Sequence, residues 1–290
     1  MDLTLQGLLD DAADQLNNAG VPDALLDARY LLFFVFHLDM TRWLLDRNRV
    51  LTDNDLERAE EYRSLVEKRK QRIPLQHLTG SQEFMGLEFA VNSHVLIPRQ
   101  DTETLVELVL KDHREKECSV LDMCTGSGCI AVSLAVLGGY REVVGVDISK
   151  EALTVAESNA KRLCKDESRI SFIKSDLFEA LPDGKRFDII VSNPPYIPSR
   201  VIDGLQPEVR DHEPVLALDG TEDGLYFYRK LADECGRFLK PGGCVYFEIG
   251  WDQADDVSRL LADAGFMRIV TVKDLPGLDR VVKASAGDCD

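Results

Sequence analysis

The chain has 290 residues, of which 44% are hydrophobic and 7% aromatic, enough apolar material for one large core or two modest ones. Its 51 acidic and 34 basic residues give a net charge of −17 at pH 7, so its overall field repels phosphate backbones and no direct nucleic-acid partner is expected. The longest apolar run, Tyr30 to Phe36, is too short to cross a membrane and predicts a buried helix segment.

The cysteines indicate neither a metal site nor a disulfide framework, because they form no Cys-x-x-Cys pair and no histidine stands at metal-ligand spacing. We expect small core residues and no bound metal. Their odd number, and the lack of an apolar N-terminal leader, favour a reducing, cytoplasmic location. The seven are Cys118, Cys124, Cys129, Cys164, Cys235, Cys244 and Cys289.

Apolar residues recur at helical spacing along the N-terminal part and predict a small all-helical domain over residues 1–73. One helix is predicted over 5–16 and another over 24–35. Thr52, with Asp55 three residues later, has the pattern of a capping box and is expected to open a long charged helix.

Residues 74–97 predict a β-hairpin linker with its turn at Gly86, and residues 98–290 a second domain. That domain is expected to begin with a helix from Thr102, capped by Asp101. Strand and helix then alternate, which predicts an α/β fold with a mostly parallel sheet and an antiparallel C-terminal edge. The predicted strands are 118–122, 142–147, 170–174, 187–192, 243–249, 267–273 and 280–284, and the predicted helices are 129–138, 150–163, 223–238 and 253–264.

A turn of small residues follows the first of these strands and opens a helix. Glycines in such a turn allow a ligand to approach the backbone, and in a doubly wound sheet the turn lies at the usual ligand crevice. It lacks the spaced glycines of the dinucleotide fingerprint, and a purely structural crossover remains equally compatible with it. The residues are Cys124, Thr125, Gly126, Ser127 and Gly128.

Carboxylates end or follow the next two strands. Asp147 is able to accept hydrogen bonds from both hydroxyls of a ribose, and the alternative is a cap for the helix near Ser149. Asp176 is able to accept a hydrogen bond from an adenine amine, while Leu177 or Phe178 packs on the ring.

The tetrapeptide Asn193-Pro194-Pro195-Tyr196 follows the fourth strand. The prolines fix the backbone and extend Asn193, so that its side-chain oxygen and the Pro194 carbonyl are preset acceptors for an NH2 group. Tyr196 is placed to cover the planar face of that group. Taken alone, the tetrapeptide is also compatible with a simple turn.

These four strand ends together resemble those of class I S-adenosylmethionine-dependent methyltransferases with a Rossmann-like sheet. The resemblance implies S-adenosyl-L-methionine as methyl donor and S-adenosyl-L-homocysteine as product, with the glycine turn under the methionine, Asp147 on the ribose and Asp176 near the adenine. Over nearly its full length the chain resembles the peptide chain release factor glutamine methyltransferases. The segments that carry this closer resemblance are Pro74–Gly80, Phe84, Ile97–Arg99, Asp101–Glu103, Asn193–Tyr196 and Gly277–Val282.

The closer resemblance implies methyl transfer to the glutamine amide nitrogen in the Gly-Gly-Gln motif of class 1 peptide chain release factors, which modulates translation termination. It implies that Asn193 and Pro194 accept hydrogen bonds from the glutamine, that Pro195 holds the turn rigid and that Tyr196 packs on the amide. We further expect a monomer, a substrate-docking role for residues 1–73, and a lid formed by residues 199–222.

Two positions depart from the family pattern, which usually has Gly where Cys124 stands and Pro where Gln100 stands. Unless residue 124 keeps a negative φ, its Cβ is expected to weaken cofactor binding. Gln100 keeps its N–H and loosens the turn, and neither change is expected to abolish activity.

Three other functions are compatible with parts of the pattern. A nucleic-acid amine methyltransferase would use the same Asn193 to Tyr196 site, although the net charge disfavours it. A regulatory protein that binds the cofactor without catalysis is the second. A hydride-transferring dehydrogenase is the weakest, because the turn lacks the spaced glycines.

Overall fold

The computed structural model describes residues 3–287. The chain forms two units. The helical unit contains the chain up to Gly80 together with Gln206–His212, and the sheet unit contains Ser81–Leu205 and the chain from Glu213 onward. A short segment from the second half of the sequence therefore belongs to the unit that the N-terminal residues build.

The strands predicted over 142–147, 170–174, 187–192 and 267–273 and the helix predicted over 150–163 have the predicted bounds, whereas the strand predicted from 243 begins at Leu239 and several short helices are not predicted. The helices are α1 (Leu5–Asn18), α2 (Ala24–Phe36), α3 (Met40–Asp46), α4 (Leu56–Lys70), α5 (Leu75–Thr79), α6 (Gln100–Asp112), α7 (Cys129–Ser133), α8 (Lys150–Leu163), α9 (Ser199–Ile202), α10 (Pro207–Arg210), α11 (Tyr226–Phe238) and α12 (Ala254–Asp263). The strands are β1 (Ser81–Phe84), β2 (Leu87–Ala90), β3 (Ser119–Met123), β4 (Glu142–Asp147), β5 (Ile170–Lys174), β6 (Phe187–Ser192), β7 (Leu239–Glu248), β8 (Met267–Lys273) and β9 (Asp279–Ser285).

Helices α1 to α4 contribute the buried side chains of the helical unit's core, and α5 packs the half-buried Leu75 and Leu78 against it. The predicted capping box is present, with Thr52 and Asp55 bonded reciprocally, but it opens a single 3₁₀ turn before α4. The expectation that the whole segment Tyr30–Phe36 is buried is wrong, because Tyr30 and Phe34 are exposed. A helix in a small bundle covers only one face, and these two side chains lie outside it.

A buried charge network holds the segment 206–212 in the helical unit. Arg69 is 5% exposed and pairs with Asp27 and Glu208, each at 2.8 Å. Arg72 donates to both oxygens of Glu208, at 2.7 and 2.6 Å. Burial raises the pKa of Glu208, but the hydrogen bonds from Arg72 and Arg69 outweigh it and lower the pKa to about 2. Glu208 is therefore ionised at neutral pH and balances two guanidinium groups.

The sheet unit begins with the antiparallel hairpin β1–β2, whose turn residues Met85 and Gly86 have φ values of 53° and 71°. Two consecutive positive φ angles match the twist of a two-residue hairpin. Glu103 of α6 accepts a hydrogen bond from the Met85 backbone N–H at 2.6 Å and so anchors the hairpin.

The main sheet has seven strands in the order β5-β4-β3-β6-β7-β9-β8. The ladder from β5 to β7 is parallel, and β9 and β8 complete it in antiparallel pairing. The predicted α/β fold with an antiparallel C-terminal edge is confirmed. Because the five parallel strands point the same way, the residues that follow β3, β4, β5, β6 and β7 meet at one edge of the sheet.

Two local predictions are corrected. The helix predicted from Thr102 begins at Gln100, so Asp101 lies in its first turn and is not its cap. Gln100 therefore lies at a first helical position, where proline is also readily accepted, and not in a turn. The helix predicted over 129–138 is α7 followed by a wider π-helical turn, Leu134–Gly138.

Cysteines and apolar segments add two findings. The six cysteines within residues 3–287 are free thiols, with Cys129 and Cys235 buried and the others half-buried, and Cys289 lies outside the described residues. Across the same range, no helix has the length and hydropathy that a membrane span requires.

We predict that Glu208→Ala lowers the free energy of unfolding by about 2–3 kcal/mol, because it leaves two partly buried guanidinium groups without their shared carboxylate. The matched control is Glu67→Ala, which removes an exposed pair with Lys70 and should cost at most about 0.5 kcal/mol. Urea unfolding at pH 7 measures both.

The pH dependence of stability gives a second check on the ion pairs of Glu208 with Arg69 and Arg72. Because the pKa of Glu208 is lowered from 4.5 to about 2, its contribution is complete above pH 4.5 and is lost as the pH falls towards 2. The difference between the parent protein and Glu208→Ala should shrink over that interval. Equal losses in the Glu208 and Glu67 variants at pH 7 would contradict a buried network.

Candidate active site

A cavity of about 260 Å³ opens at the carboxyl edge of the parallel strands. The residues that line it all belong to the sheet unit. They come from segments 94–102, 123–130, 146–152, 175–177, 193–195, 214–217 and 226–227. The cavity therefore collects the four strand ends that the sequence singles out.

The glycine turn is held from below by a buried carboxyl group. Asp122 accepts hydrogen bonds from the Thr125 hydroxyl at 2.6 Å and from the Ala131 N–H at 3.1 Å. Thr125 also donates its backbone N–H to Val146 on β4 at 2.9 Å. Burial raises the pKa of Asp122 to about 7. The turn is thus fixed before any ligand binds.

The two glycines of the turn do different things. A Cβ added at Gly126 would meet nothing within 4 Å, so the backbone there is open to the cavity. Gly128 has φ 77°, and a Cβ there would lie 3.0 Å from the Cβ of Ala156 on α8. Gly126 leaves space for a ligand, whereas Gly128 lies outside the cavity lining and permits close packing of the turn on α8.

Cys124 has φ 62°, in the left-handed region that favours glycine. Residue 124 therefore does not keep the negative φ under which its Cβ would leave cofactor binding unaffected. The side chain lines the cavity and packs against the core beneath the sheet. Burial raises the pKa of the Cys124 thiol, so that it stays protonated at neutral pH.

Asp147 lies on the cavity wall and helps to hold the turn. Its Oδ2 accepts the Gly126 N–H at 2.8 Å, and its Oδ1 accepts the Ser149 N–H at 2.9 Å. The Ser149 hydroxyl, not Asp147, caps α8 by accepting the Ala152 N–H at 3.1 Å. Each carboxylate oxygen of Asp147 keeps a second lone pair for a ligand hydroxyl.

The turn after β5 contains Leu177 and Phe178, the two apolar residues that the sequence offers as the one that packs on an adenine ring. Leu177 has φ 46° and lines the cavity next to the exposed Asp176. Phe178 is buried in the core, stacked on Phe238 with ring centroids 4.8 Å apart. Of the two apolar residues, Leu177 is the one available to a planar ligand.

Only part of the Asn193–Tyr196 turn lines the cavity. Asn193 and Pro195 line the cavity, whereas Pro194 is buried and the Tyr196 side chain packs against the core. The Asn193 amide donates to the Thr102 hydroxyl of α6 at 3.3 Å. Strand β6 is fixed just before the turn, because the Ser192 hydroxyl donates to the Met123 carbonyl at 2.7 Å.

The backbone of Tyr196 is clamped by residues that the sequence analysis did not select. The Gln253 side chain donates to the carbonyls of Tyr196 and Gly224, at 3.1 and 3.3 Å. Gly224 has φ 77°, and a Cβ there would collide with the Tyr196 carbonyl oxygen. Nothing in a local sequence pattern relates Gln253 to a turn more than fifty residues earlier.

Comparison with known proteins decides the family. Residues 7–80 match the family described as PrmC N-terminal domain, and residues 114–274 match a methyltransferase domain family. The release factor glutamine methyltransferase of Geobacter sulfurreducens is 42% identical over 284 residues, which cover 98% of this chain and 97% of that protein. The chain belongs to the release factor glutamine methyltransferase family. The relative from Agrobacterium fabrum is 40% identical, and the match covers 97% of each chain.

The fold of this family member is shared more widely than its sequence. A methyltransferase from Pyrococcus furiosus aligns with a TM-score of 0.52 at 16% identity, covering 76% of this chain and 98% of that one. At this identity the likeness concerns the fold alone, and the predicted class I methyltransferase architecture is confirmed. The match to the methyltransferase domain also supports S-adenosylmethionine as its cofactor.

Two buried polar residues beside the cavity were missed as site residues. Thr102 lies in α6, within the segment Asp101–Glu103, and Glu248 is the last residue of β7. The reasoning that found Asp147 applies equally to Glu248, since both are carboxylates at the end of a parallel strand. Within residues 3–287 this methyltransferase has no group of three metal-ligating side chains.

We predict that Cys124→Gly is more stable than Cys124→Ala by about 1 kcal/mol, measured by urea unfolding. Both variants lose the thiol, but glycine escapes the cost of about 1–2 kcal/mol that a side chain meets in the left-handed region. At an ordinary position the order is reversed, with glycine less stable by about 0.5–1 kcal/mol. An alanine variant equal to or more stable than the glycine variant would contradict a left-handed residue 124.

Proposed function

We propose that this chain transfers a methyl group from S-adenosylmethionine to the side-chain amide nitrogen of a glutamine, the one in the Gly-Gly-Gln motif of class 1 peptide chain release factors. The observation that carries the proposal is that one cavity contains both the glycine turn with Asp147 and the Asn193 turn. Family membership supplies the chemical class of the substrate.

One group of the residues that line the cavity fits the cofactor. The open backbone at Gly126 and the lining residues 124–127 suit its methionine portion. The spare lone pairs of Asp147 suit the ribose hydroxyls, and Asp176 with Leu177 suits the adenine. When bound, the cofactor supplies a methyl group on a positively charged sulfur.

The Asn193 turn, which also contributes to the cavity lining, suits a planar NH2 group. The Asn193 side-chain oxygen and the Pro194 carbonyl are the acceptors that we assign to the two amide hydrogens of the glutamine. Pro195 keeps the backbone rigid between them. The family resemblance assigns Tyr196 to the face of the amide, although its side chain packs against the core and does not line the cavity. The Gln253 side chain donates to its backbone carbonyl.

These acceptors meet the chemical difficulty of the reaction, which is the weak nucleophilicity of an amide nitrogen. Holding the NH2 group in line with the methyl group removes most of the entropic cost of the encounter. As the nitrogen becomes positive, its N–H groups become stronger donors, so both hydrogen bonds strengthen in the transition state. The methylated nitrogen is then strongly acidic and loses a proton to water.

The helical unit is proposed as the docking site for the release factor. Helix α2 exposes an apolar stripe at i, i+4 and i+8, formed by Leu26, Tyr30 and Phe34, which are 41%, 55% and 44% exposed. Exposed apolar stripes of this kind mark protein contact sites. A protein substrate, unlike a small molecule, is large enough to use such a surface.

Residues 199–222 are proposed to act as a lid over the glutamine. Pro214, Leu216 and Ala217 from this stretch line the cavity, which supports the assignment. We also propose that the protein acts as a monomer in the cytoplasm, where release factors work on ribosomes, and without a nucleic-acid partner.

We predict that Asn193→Ala lowers the turnover number by on the order of 10²-fold, the scale for one well-placed polar group. Its affinity for S-adenosylmethionine should stay within a few-fold of the parent protein. Steady-state methylation of intact release factor and calorimetric titration of the cofactor measure the two quantities. Near-parental turnover would contradict the assignment of Asn193.

We predict that Asp147→Ala weakens cofactor binding by at least tenfold, because it removes the ribose acceptor and frees the Gly126 N–H that anchors the turn. Calorimetry provides the measurement. The control is Glu151→Ala, a nearby exposed carboxylate outside the cavity lining, which should bind normally. Unchanged affinity in the Asp147 variant would restrict this residue to a structural role.

We predict that Tyr30→Ser lowers kcat/KM for intact release factor by about tenfold and leaves cofactor affinity unchanged, because an aromatic anchor in a protein interface contributes on the order of 1–2 kcal/mol. Leu275→Ser is the control, since Leu275 is 92% exposed on the sheet unit. If both variants methylate release factor normally, the stripe on α2 is not the docking site.

A further inference from the structure

Glu248 is a buried carboxyl group that the mechanism above leaves unexplained. It ends β7, is 1% exposed and pairs in the sheet with Val281 of β9. Its Oε2 atom has no hydrogen-bond partner among the residues described. A buried carboxyl with an unsatisfied oxygen destabilises the fold, and such groups concentrate at functional sites.

The neighbours of Glu248 connect it to the proposed acceptor. The Thr102 hydroxyl and the Asn193 amide lie near its carboxyl group, and both lower its pKa. Thr102 is 2% exposed and accepts the Asn193 N–H at 3.3 Å. Two buried side chains, Thr102 and Glu248, thus lie next to Asn193, the cavity residue assigned to the substrate.

We propose that Glu248 is a positioning residue that holds the Asn193 amide with its nitrogen turned towards Thr102 and Glu248 and its oxygen turned towards the substrate. The proposal rests on the function assigned to Asn193 above.

The chemistry of the three groups selects this orientation. An ionised carboxylate is an acceptor only, so it attracts the NH2 end of Asn193 and repels the oxygen end. The Thr102 hydroxyl is able to donate to Glu248 while accepting from Asn193, which satisfies both. A flipped amide would place its NH2 group against the NH2 group of the glutamine, where neither is able to accept a hydrogen bond.

The charge state of Glu248 matters because a protonated carboxyl is also a donor and no longer selects one amide orientation. Burial raises its pKa to about 7, while the Thr102 hydrogen bond and the positive charge of Arg280 oppose that shift. Asp101 adds a negative charge that raises the pKa further. The Tyr228 hydroxyl donates to the Glu248 backbone carbonyl at 2.6 Å, and burial raises the pKa of Tyr196, so both phenols stay neutral.

The expected pH dependence follows from these groups. Turnover should rise as the pH increases through about 7, because ionisation of Glu248 fixes the Asn193 amide. Stability changes in the opposite direction. A raised pKa in the folded state means that Glu248 binds its proton more tightly when folded, so stability falls as the pH rises from 4.5 to about 7.

The test compares Glu248→Ala and Glu248→Gln in the full-length protein, with release factor as substrate, from pH 6 to 9. The alanine variant should lose at least tenfold in kcat with cofactor affinity within twofold of the parent protein. The glutamine variant keeps an acceptor oxygen, so it should retain more activity than alanine and lose the rise through pH 7. Its melting temperature at pH 8 should equal or exceed that of the parent protein, because a buried charge is removed.

A double-mutant cycle distinguishes a failure of this proposal from a failure of the function assigned to Asn193. If Glu248 acts through Asn193, then Asn193→Ala with Glu248→Ala should be no slower than Asn193→Ala alone. Parental activity in Asn193→Ala would overturn the assigned function. A slow Asn193→Ala beside a normal Glu248→Ala, a pH rise that persists in Glu248→Gln, or additive losses would overturn the positioning role alone.

Thr102→Val provides a route that does not depend on the folding of the Glu248 variants. It removes the hydroxyl between the two groups and keeps the side-chain shape. It should lower kcat by several-fold with little change in cofactor affinity, and parental kcat in this variant would contradict the arrangement.

Discussion

The parallel ladder from β5 to β7 is the constraint on which the rest of the site depends. Its strands all run in one direction, so hydrogen bonding between their backbones brings every carboxyl end to the same edge. The positions of the cavity side chains therefore follow from the pairing of the strands. Asp147 and Glu248 are the last residues of β4 and β7, Asp176 and Asn193 follow β5 and β6, and α6 contributes Thr102.

That edge is also where the fold departs from the rules of a stable core. Cys124 and Leu177 both have left-handed backbone at the cavity wall. Burial raises the pKa of the Asp122 and Glu248 carboxyl groups to about 7, and each has one oxygen without a hydrogen-bond partner among the described residues. These costs lie within one region, and we attribute them to the need to present fixed polar groups to two ligands at once.

The strand ends are predictable from the sequence, because a hydrophobic run of four to six residues followed by a polar turn is typical of a strand in a parallel sheet. Sequence reasoning predicted β4, β5, β6 and α8 with the boundaries that the structure has. It placed the wrong residue as cap of α6, because Asp101 resembles a cap and a helix start depends on backbone angles that no single residue determines. It also overlooked Glu248, because β7 is long and its last residue reads as part of an apolar strand.

Sequence patterns do not reveal contacts between residues that are far apart in the chain. The Arg69–Glu208 pair joins positions separated by 139 residues, and the Gln253 clamp on Tyr196 joins positions separated by 57. Tyr30 and Phe34 were expected inside the bundle, because their apolar character does not reveal which face of α2 is covered. The sequence thus predicts where the active site lies more reliably than which residues hold it in place.

The central claim is that the methyl acceptor is a glutamine amide in a protein. The most direct test incubates the protein with isotopically labelled S-adenosylmethionine and, in parallel, unmethylated release factor, the same factor with its loop glutamine replaced by asparagine, duplex DNA and ribosomal RNA. The account predicts label on the loop glutamine of the first substrate and none on the asparagine form. Label on either nucleic acid, or cofactor binding without transfer to any acceptor, would contradict it.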